Sequence, residues 1–408
     1  MKQISIEQIR QDFPLLNQKI NGKPLIYFDN AATTQKPQIM IDSLVKFYTQ
    51  QNSNTHSQHS LAEDISHQID QIRIQILNFI QADSSEYSII FTKNATEAIN
   101  LVASSFGSIL EKNERIILTQ AEHHANLLPW QRLSKNNNLN LDFIKITADG
   151  LWDLSNLDTL LQKPTKFVCL NWVSNVLGVI NPINKILEIA SKNNIYSLID
   201  GTQAIPHLEI DFRKFKPDFF VFSGHKIFGP TGIGVLVAKT SILRQMPAYQ
   251  VGGEMVKQAT LFDSLYQDGY QKFEAGTLNL AEIVGLSTSL EYFKNLLGKF
   301  DIFEYEQQLK NRLLENLNRI SGIKILANHN NQIPLVSFYH NRVNDYDLSV
   351  FLDLKGVAVR SGRHCAEPLH NHFELNSTTR ASLCLYNTFK EIDNFSNYLE
   401  EAINKLKN

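Results

Sequence analysis

The chain has 408 residues, 43% hydrophobic and 20% charged, with a formal net charge of −2 at pH 7. That balance fits a globular protein with a large core and room for two or three domains. It gives no electrostatic reason to expect nucleic acid or an anionic membrane as a partner, and no apolar run approaches the roughly 20 residues that span a bilayer. The start of the chain has an early acid, Glu7, and no apolar h-region, so no secretory signal is expected. Cys169, Cys365 and Cys384 are too few and too scattered for a disulfide framework or a Cys-x-x-Cys metal site. A reducing, cytoplasmic compartment is expected, where a cysteine that matters is more often catalytic than structural.

An amphipathic segment runs to about Lys19. From Ser88 onward, short β-rich runs alternate with helical stretches. Strands are expected at Ser88–Phe91, Arg115–Thr119, Leu141–Ile146, Lys166–Trp172, Tyr196–Asp200, Asp218–Ser223 and Gly234–Ala238. Helices are expected at Thr96–Leu110 and at Pro182–Asn193, the latter capped by Asn181. Asn136-Asn137-Asn138 reads as a helix-to-strand loop. The alternation predicts an α/β fold with a mostly parallel sheet covered by helices on both faces. Several of these strands are apolar at nearly every position, as burial on both faces requires. Near Ile283 the pattern changes to two long helices, Glu282–Leu297 and Ile302–Ile320. Short strands follow at Ile323–Leu326, Leu335–Tyr339 and Val357–Arg360, and a last helix at Glu391–Leu406. The expected division is an N-terminal segment over 1–25 that packs with the smaller domain, a large domain over 26–290 and a smaller α+β domain over 291–408.

Chemistry concentrates at the ends of the expected strands. Ser223-Gly224-His225-Lys226 closes an apolar run, and burial lowers a lysine pKa and leaves a nucleophilic amine of the kind that forms Schiff bases. The alternative is a surface lysine in a Gly-rich turn. Asn94-Ala95-Thr96-Glu97 opens a helix after a strand, which is either a phosphate site or a plain N-cap. Asp200, in Ile199-Asp200-Gly201-Thr202-Gln203, ends another strand where open α/β sheets bind ligands. A protonated ring nitrogen would pair with it, or it caps the next turn. Glu122-His123-His124 places an imidazole at a third strand end, for stacking, proton transfer or structure. Cys365, in Arg360-Ser361-Gly362-Arg363-His364-Cys365-Ala366-Glu367-Pro368, has the polar loop setting of a reactive thiol, with the flanking Arg363 and His364 favouring the thiolate. Cys384, within Ser382-Leu383-Cys384-Leu385, reads as a buried hydrophobe. His364, Cys365, His370 and His372 offer poor spacing for zinc, and no metal is expected. Gly229-x-x-Gly232-x-Gly234 precedes a strand instead of joining a strand to a helix, so it is not a dinucleotide loop.

In this order the motifs resemble the aminotransferase class V group of pyridoxal-phosphate enzymes, PLP fold type I, and more narrowly the SufS-type, or group II, cysteine desulfurases. The resemblance covers nearly the whole chain. It includes Phe28-Asp29-Asn30-Ala31-Ala32-Thr33-Thr34, Ala121-Glu122-His123-His124-Ala125-Asn126, Val173-Ser174-Asn175-Val176-Leu177-Gly178, Arg380-Ala381-Ser382 and Tyr386-Asn387-Thr388. The sequence departs from the family pattern at Ser57, where arginine is common, at Trp172 and Arg363, where histidine is common, and at Leu278, where proline usually stands.

The resemblance implies pyridoxal 5'-phosphate attached to Lys226, which would also move the substrate Cα proton. Asp200 would pair with the pyridine nitrogen, Gln203 would bond the ring hydroxyl and His123 would stack on the ring. Ala95, Thr96, Ser223 and His225 would hold the phosphate, joined by Thr277 from the neighbouring subunit of a homodimer. Arg380 and Asn175 would bind the carboxylate of L-cysteine. Cys365 would take the sulfur as a persulfide and release alanine, passing it to an acceptor of the SufE or SufU type for iron–sulfur cluster assembly. The alternatives on the same scaffold are a selenocysteine lyase acting on L-selenocysteine and a cysteine-sulfinate desulfinase. A non-catalytic sulfur carrier or scaffold is the alternative from another class.

Overall fold

The computed structural model describes residues 5–55, 57–162 and 164–407. His56, beside the Ser57 departure, lies outside the described residues. Seven strands form the central sheet: β1 Tyr87–Thr92, β2 Arg115–Thr119, β3 Asn140–Ile144, β4 Thr165–Asn171, β5 Tyr196–Asp200, β6 Phe219–Ser223 and β7 Gly234–Lys239. Their spatial order is β1-β7-β6-β5-β4-β2-β3. β7 runs antiparallel to both neighbours, and the other six strands share one direction. In β6 all five residues are buried, Phe220 and Phe222 in the core on one face and Phe219 and Val221 in that on the other. This two-sided burial is why the strands read as continuous apolar runs.

Helices cover both faces: α1 Ser60–Phe79, α2 Ala95–Ser105, α3 Leu128–Asn137, α4 Ile183–Lys192 and α5 Leu280–Leu297. α2 and α3 bury Ala98, Ile99, Val102 and Trp130 on one face, and α1, α4 and α5 bury Ile72, Ile76, Ile186, Leu286 and Leu290 on the other. Beyond β7 a hairpin pairs β8 Val256–Ala259 with β9 Ser264–Tyr266.

A second sheet is antiparallel throughout, in the order β10-β11-β13-β12. Its strands are β10 Ile323–Ile325, β11 Leu335–His340, β12 Arg360–Gly362 and β13 Thr378–Ser382. Its core is completed by α6 Ile302–Arg319, α7 Asp345–Leu354 and α8 Phe389–Leu406. The N-terminal segment touches both regions. Phe13 packs against the rings of Phe228, Tyr292 and Tyr386, and Arg10 pairs with Glu391 at 2.7 Å.

Several expectations need correction. The run Val357–Arg360 is not one strand. Val357–Ala358 pairs in parallel with Ile26–Tyr27, and Arg360 begins β12, which pairs with β13. Asn181 does not cap α4, because its amide donates to Asn171 O and Oδ1, both at 3.1 Å, and Pro182 takes the cap position. The helix expected to reach Leu110 ends at Ser105 and continues as a 3-10 turn over Gly107–Ile109. The Asn136–Asn138 run is mostly helical, since α3 extends through Asn137 and Asn138 closes it in the left-handed region at φ +54°. The last helix starts earlier than Glu391, at a reciprocal cap in which Thr388 and Glu391 satisfy each other's backbone N–H.

Candidate active site

The carboxyl ends of β4, β5 and β6 point the same way and deliver Asn171, Asp200 and Ser223 to one edge of the sheet. There they line a cavity of about 230 Å³ together with Ala95, Thr96, His123, Asn175, Gln203, His225, Lys226, Arg360, His364 and Arg380. Ten of the twelve expected site residues therefore meet around one space; Thr277 and Cys365 do not line it. Thr277 is exposed, 3.5 Å from Asn54. The α2 N-terminus approaches closely because β7 begins with glycine: a Cβ on Gly234 would lie 2.4 Å from the Asn94 backbone. Asn94 caps that helix through Glu97 N, and Ala95 N donates to Ser223 Oγ at 2.8 Å.

Burial sets the electrostatics. It lowers the Lys226 amine to about 7, with Arg380 adding to the effect, and Nζ donates to Ala32 O at 2.7 Å and to Ala31 O. Gln203 also donates to Ala31 O, at 2.9 Å. Burial pushes Asp200 up, a tendency opposed by Thr202, whose N–H donates to it at 2.9 Å, and by the Lys226 charge. His123 is driven down to about 4 by burial and then by Lys226, and its Nδ1 accepts from Ala125 N at 3.0 Å. His123 is thus a neutral ring with its proton on Nε2. His225 falls to about 4 for similar reasons, burial first, then Lys226 and Lys36. Beneath the site burial raises Glu122 to about 8, although Thr119, Asn126 and Asn171 N all donate to it.

Register places Arg360 directly opposite Arg380 across β12 and β13. Two cations at facing positions repel unless an anion lies between them. Arg380 is almost fully buried. It donates to Asn175 O at 2.9 Å and pairs with Asp29 at 3.0 Å, leaving Nε without a partner among the described residues. Arg360 and Asp29 join the site beyond the residues expected from sequence: strand register brings Arg360 to Arg380, and an ion pair brings Asp29 there.

Cys365 is half-buried, a free thiol reached through three left-handed positions, Gly362 at φ +121°, His364 at +50° and Cys365 at +56°. Its carbonyl accepts from His124 N at 2.8 Å, which ties the loop to the His123 turn. The flanking cations are not the ones the sequence implied. Arg363 turns away to Glu367 and to Asn376 O, and burial holds His364 neutral. The cation beside the sulfur is Arg360, with Nη2 3.8 Å from Sγ. Cys169 and Cys384 are fully buried, with thiols pushed well up.

Thr202 Oγ1, Asn175 Oδ1 and Arg380 Nε are buried polar atoms around this space that lack a partner among the described residues. A group carrying a phosphate, a basic ring nitrogen and a ring hydroxyl would fit this lining, with Lys226 to attach it, Asp200 to face the ring nitrogen, Gln203 to meet the hydroxyl, and Ala95, Thr96, Ser223 and His225 to meet the phosphate. The fold and the site together define a pyridoxal-phosphate-dependent enzyme of fold type I. Residues 26–395 match the aminotransferase class-V family model, and the chain belongs to that family. It is 40% identical over 394 residues to a cysteine desulfurase of Wigglesworthia glossinidia brevipalpis, covering 96% of this chain and 95% of that one. It is 41% identical over 390 residues to a cysteine desulfurase of Synechococcus elongatus, covering 95% of this chain but only 62% of that relative's length. A cysteine desulfurase structure from Thermococcus onnurineus superposes with a TM-score of 0.93 at 33% identity over the whole of both chains. The Escherichia coli cysteine desulfurase CsdA gives 0.89 at 30% identity, with 99% of each chain covered. No described helix is long and apolar enough to cross a membrane.

Proposed function

We propose that the protein is a cysteine desulfurase that converts L-cysteine to L-alanine and keeps the sulfur as a persulfide on Cys365. The observation that carries this is the free Cys365 thiol, 3.8 Å from the Arg360 guanidinium, in a loop hydrogen-bonded to the turn of a lysine-bearing cavity. When bound, pyridoxal phosphate supplies the electron sink that makes the substrate Cα acidic. The protein's residues do the rest. Arg380 and Arg360 fix the substrate carboxylate between them, while the Asn175 amide, whose Nδ2 donates to His364 O at 2.7 Å, holds the cysteine loop beside it. A guanidinium fork suits a carboxylate better than a point charge does. Lys226, lowered to about 7 and so about half uncharged at pH 7, takes and returns the proton at Cα. Neutral His123, with its own proton on Nε2, would stack on the pyridoxal ring.

Cys365 Sγ then attacks the substrate sulfur as the thiolate. One S–S bond forms, the Cβ–S bond breaks, and the electron pair left on carbon is captured by a proton, giving alanine. The names borne by the relatives support this reading, as does the loop-borne thiol. The reading extends to a homodimer in which Thr277 reaches the neighbouring subunit's site. It also includes a small domain over 291–408 carrying the nucleophile, a cytoplasmic location, and delivery of sulfur to an acceptor of the SufE or SufU type for iron–sulfur cluster assembly. The test is intact-mass analysis after L-cysteine is added. The wild-type chain should gain one sulfur and Cys365→Ser should gain none; a gain that persists in the variant refutes the assignment.

A further inference from the structure

One buried group beside the nucleophile has a hydrogen-bond pattern that fixes its chemistry. His364 lines the cavity, yet it is only 3% exposed and its Nδ1 has no partner among the described residues. Its Nε2 lies 3.0 Å from Thr378 Oγ1. The same hydroxyl lies 3.1 Å from Nε2 of the fully buried His370, whose Nδ1 sits 3.1 Å from Ala366 O.

The proton positions follow from the end of this chain. A carbonyl oxygen only accepts, so His370 Nδ1 carries a hydrogen. Burial lowers the His370 pKa and keeps the ring neutral, so its Nε2 is a bare acceptor. Thr378 must give its one hydroxyl hydrogen to that acceptor. Its oxygen can then only accept from His364, whose hydrogen is placed on Nε2. Nδ1 of His364 is left as a lone pair. Asn175 holds the residue from the other side, donating to His364 O at 2.7 Å.

A buried acceptor without a donor costs free energy, so it is expected where a ligand will satisfy it. An amino-acid substrate brings a carboxylate, which the Arg360 and Arg380 pair attracts, and an amine, which belongs near Lys226. The remaining donor on cysteine is its thiol, and Cys365, next along the chain, must reach that same sulfur. We propose that His364 is a substrate-binding residue whose Nδ1 accepts the thiol hydrogen of the amino-acid substrate. Thr378 and His370 are positioning residues that hold it in the tautomer able to do so. The inference rests on the desulfurase reading for the identity of the substrate.

The first readout needs no sulfur chemistry. In protein labelled at histidine nitrogen, long-range proton–nitrogen correlation should find His364 protonated on Nε2 and bare on Nδ1, with His370 reversed. A proton on His364 Nδ1 overturns the proposal. A failure of Cys365 to gain sulfur would instead refute the desulfurase reading and leave these tautomers as stated. The second readout is binding to holoenzyme carrying Cys365→Ser, in which sulfur transfer is blocked. His364→Gln keeps a polar atom near Thr378 and removes the free acceptor. It should weaken L-cysteine about tenfold, the worth of one hydrogen bond, and leave L-alanine nearly unchanged. Equal loss for both amino acids, or loss for neither, overturns the proposal.

Thr378→Val should reproduce the selective loss of L-cysteine and Thr378→Ser should restore binding, a rescue that a purely structural role does not predict. If Thr378→Val does not fold, Thr378→Ser and His364→Gln still decide. Should His364→Gln change the iodoacetamide reactivity of Cys365 in otherwise wild-type enzyme but not L-cysteine binding in the Cys365→Ser protein, the donor is the enzyme's own thiol and the assignment fails.

Discussion

The neutral amine of Lys226 makes a sharp prediction about cofactor capture. An ordinary lysine, at 10.5, is uncharged at pH 7 in only about one molecule in three thousand, whereas at about 7 half of the molecules are. The gain in reactive amine is about a thousandfold, and part of it is offset because a less basic nitrogen is a weaker nucleophile. Stopped-flow mixing of apoenzyme with pyridoxal phosphate should give an attachment rate that rises with pH and bends to a plateau near pH 7. Burial is the main cause of the shift and Arg380 the second, so Arg380→Gln should move the bend upward. Stability follows the same proton. Between about 7 and 10.5 the unfolded chain binds it and the folded chain does not, so apoenzyme stability should rise with pH through that window. An attachment rate that climbs without a bend from about pH 6 to about pH 9 would refute a buried, neutral Lys226.

Arg73 binds Glu274 through both carboxylate oxygens, at 3.0 and 2.7 Å, between the rings of Phe91 and Tyr270. Arg73→Ala strands a buried carboxylate and should cost about 3–5 kcal/mol in urea unfolding; a loss under about 1 kcal/mol contradicts the reading. Arg380→Lys loses the planar fork and should raise the KM for L-cysteine about tenfold or more, and an unchanged KM in steady-state assays excludes the carboxylate role. Gly234→Ala drives a methyl into the Asn94 backbone at 2.4 Å and displaces the start of α2. Equilibrium titration should show pyridoxal phosphate bound about tenfold more weakly, one hydrogen bond's worth, and unaltered affinity would show that the helix start does not hold the phosphate.

What could be read early and what could not divide along physical lines. β5 and β6 were legible because both faces of each strand are buried, which writes an apolar run that ends abruptly at Asp200 or Ser223. β13 was not. Thr378, Thr379, Arg380 and Ser382 are polar yet buried, because each finds partners across the fold, such as Asp345 for Thr379 and Phe28 O for Ser382. α1, 20 residues long, was also missed; its cap comes from the His59 side chain, an uncommon capping residue.

The local order of residues determined by itself the mostly parallel sheet, the lysine after β6, the acid at the end of β5 and a thiol in a glycine-containing loop. Each is a statement about neighbours along the chain, where periodicity and turn chemistry operate. Tertiary structure decided which cation stands beside Cys365. The loop turns Arg363 outward to Glu367, buries His364 as a neutral ring, and leaves Arg360 at the sulfur. It also decided that Arg360 faces Arg380, and that Thr378 and His370 set the proton on His364. Register and burial join residues far apart in sequence, and charge acts through space.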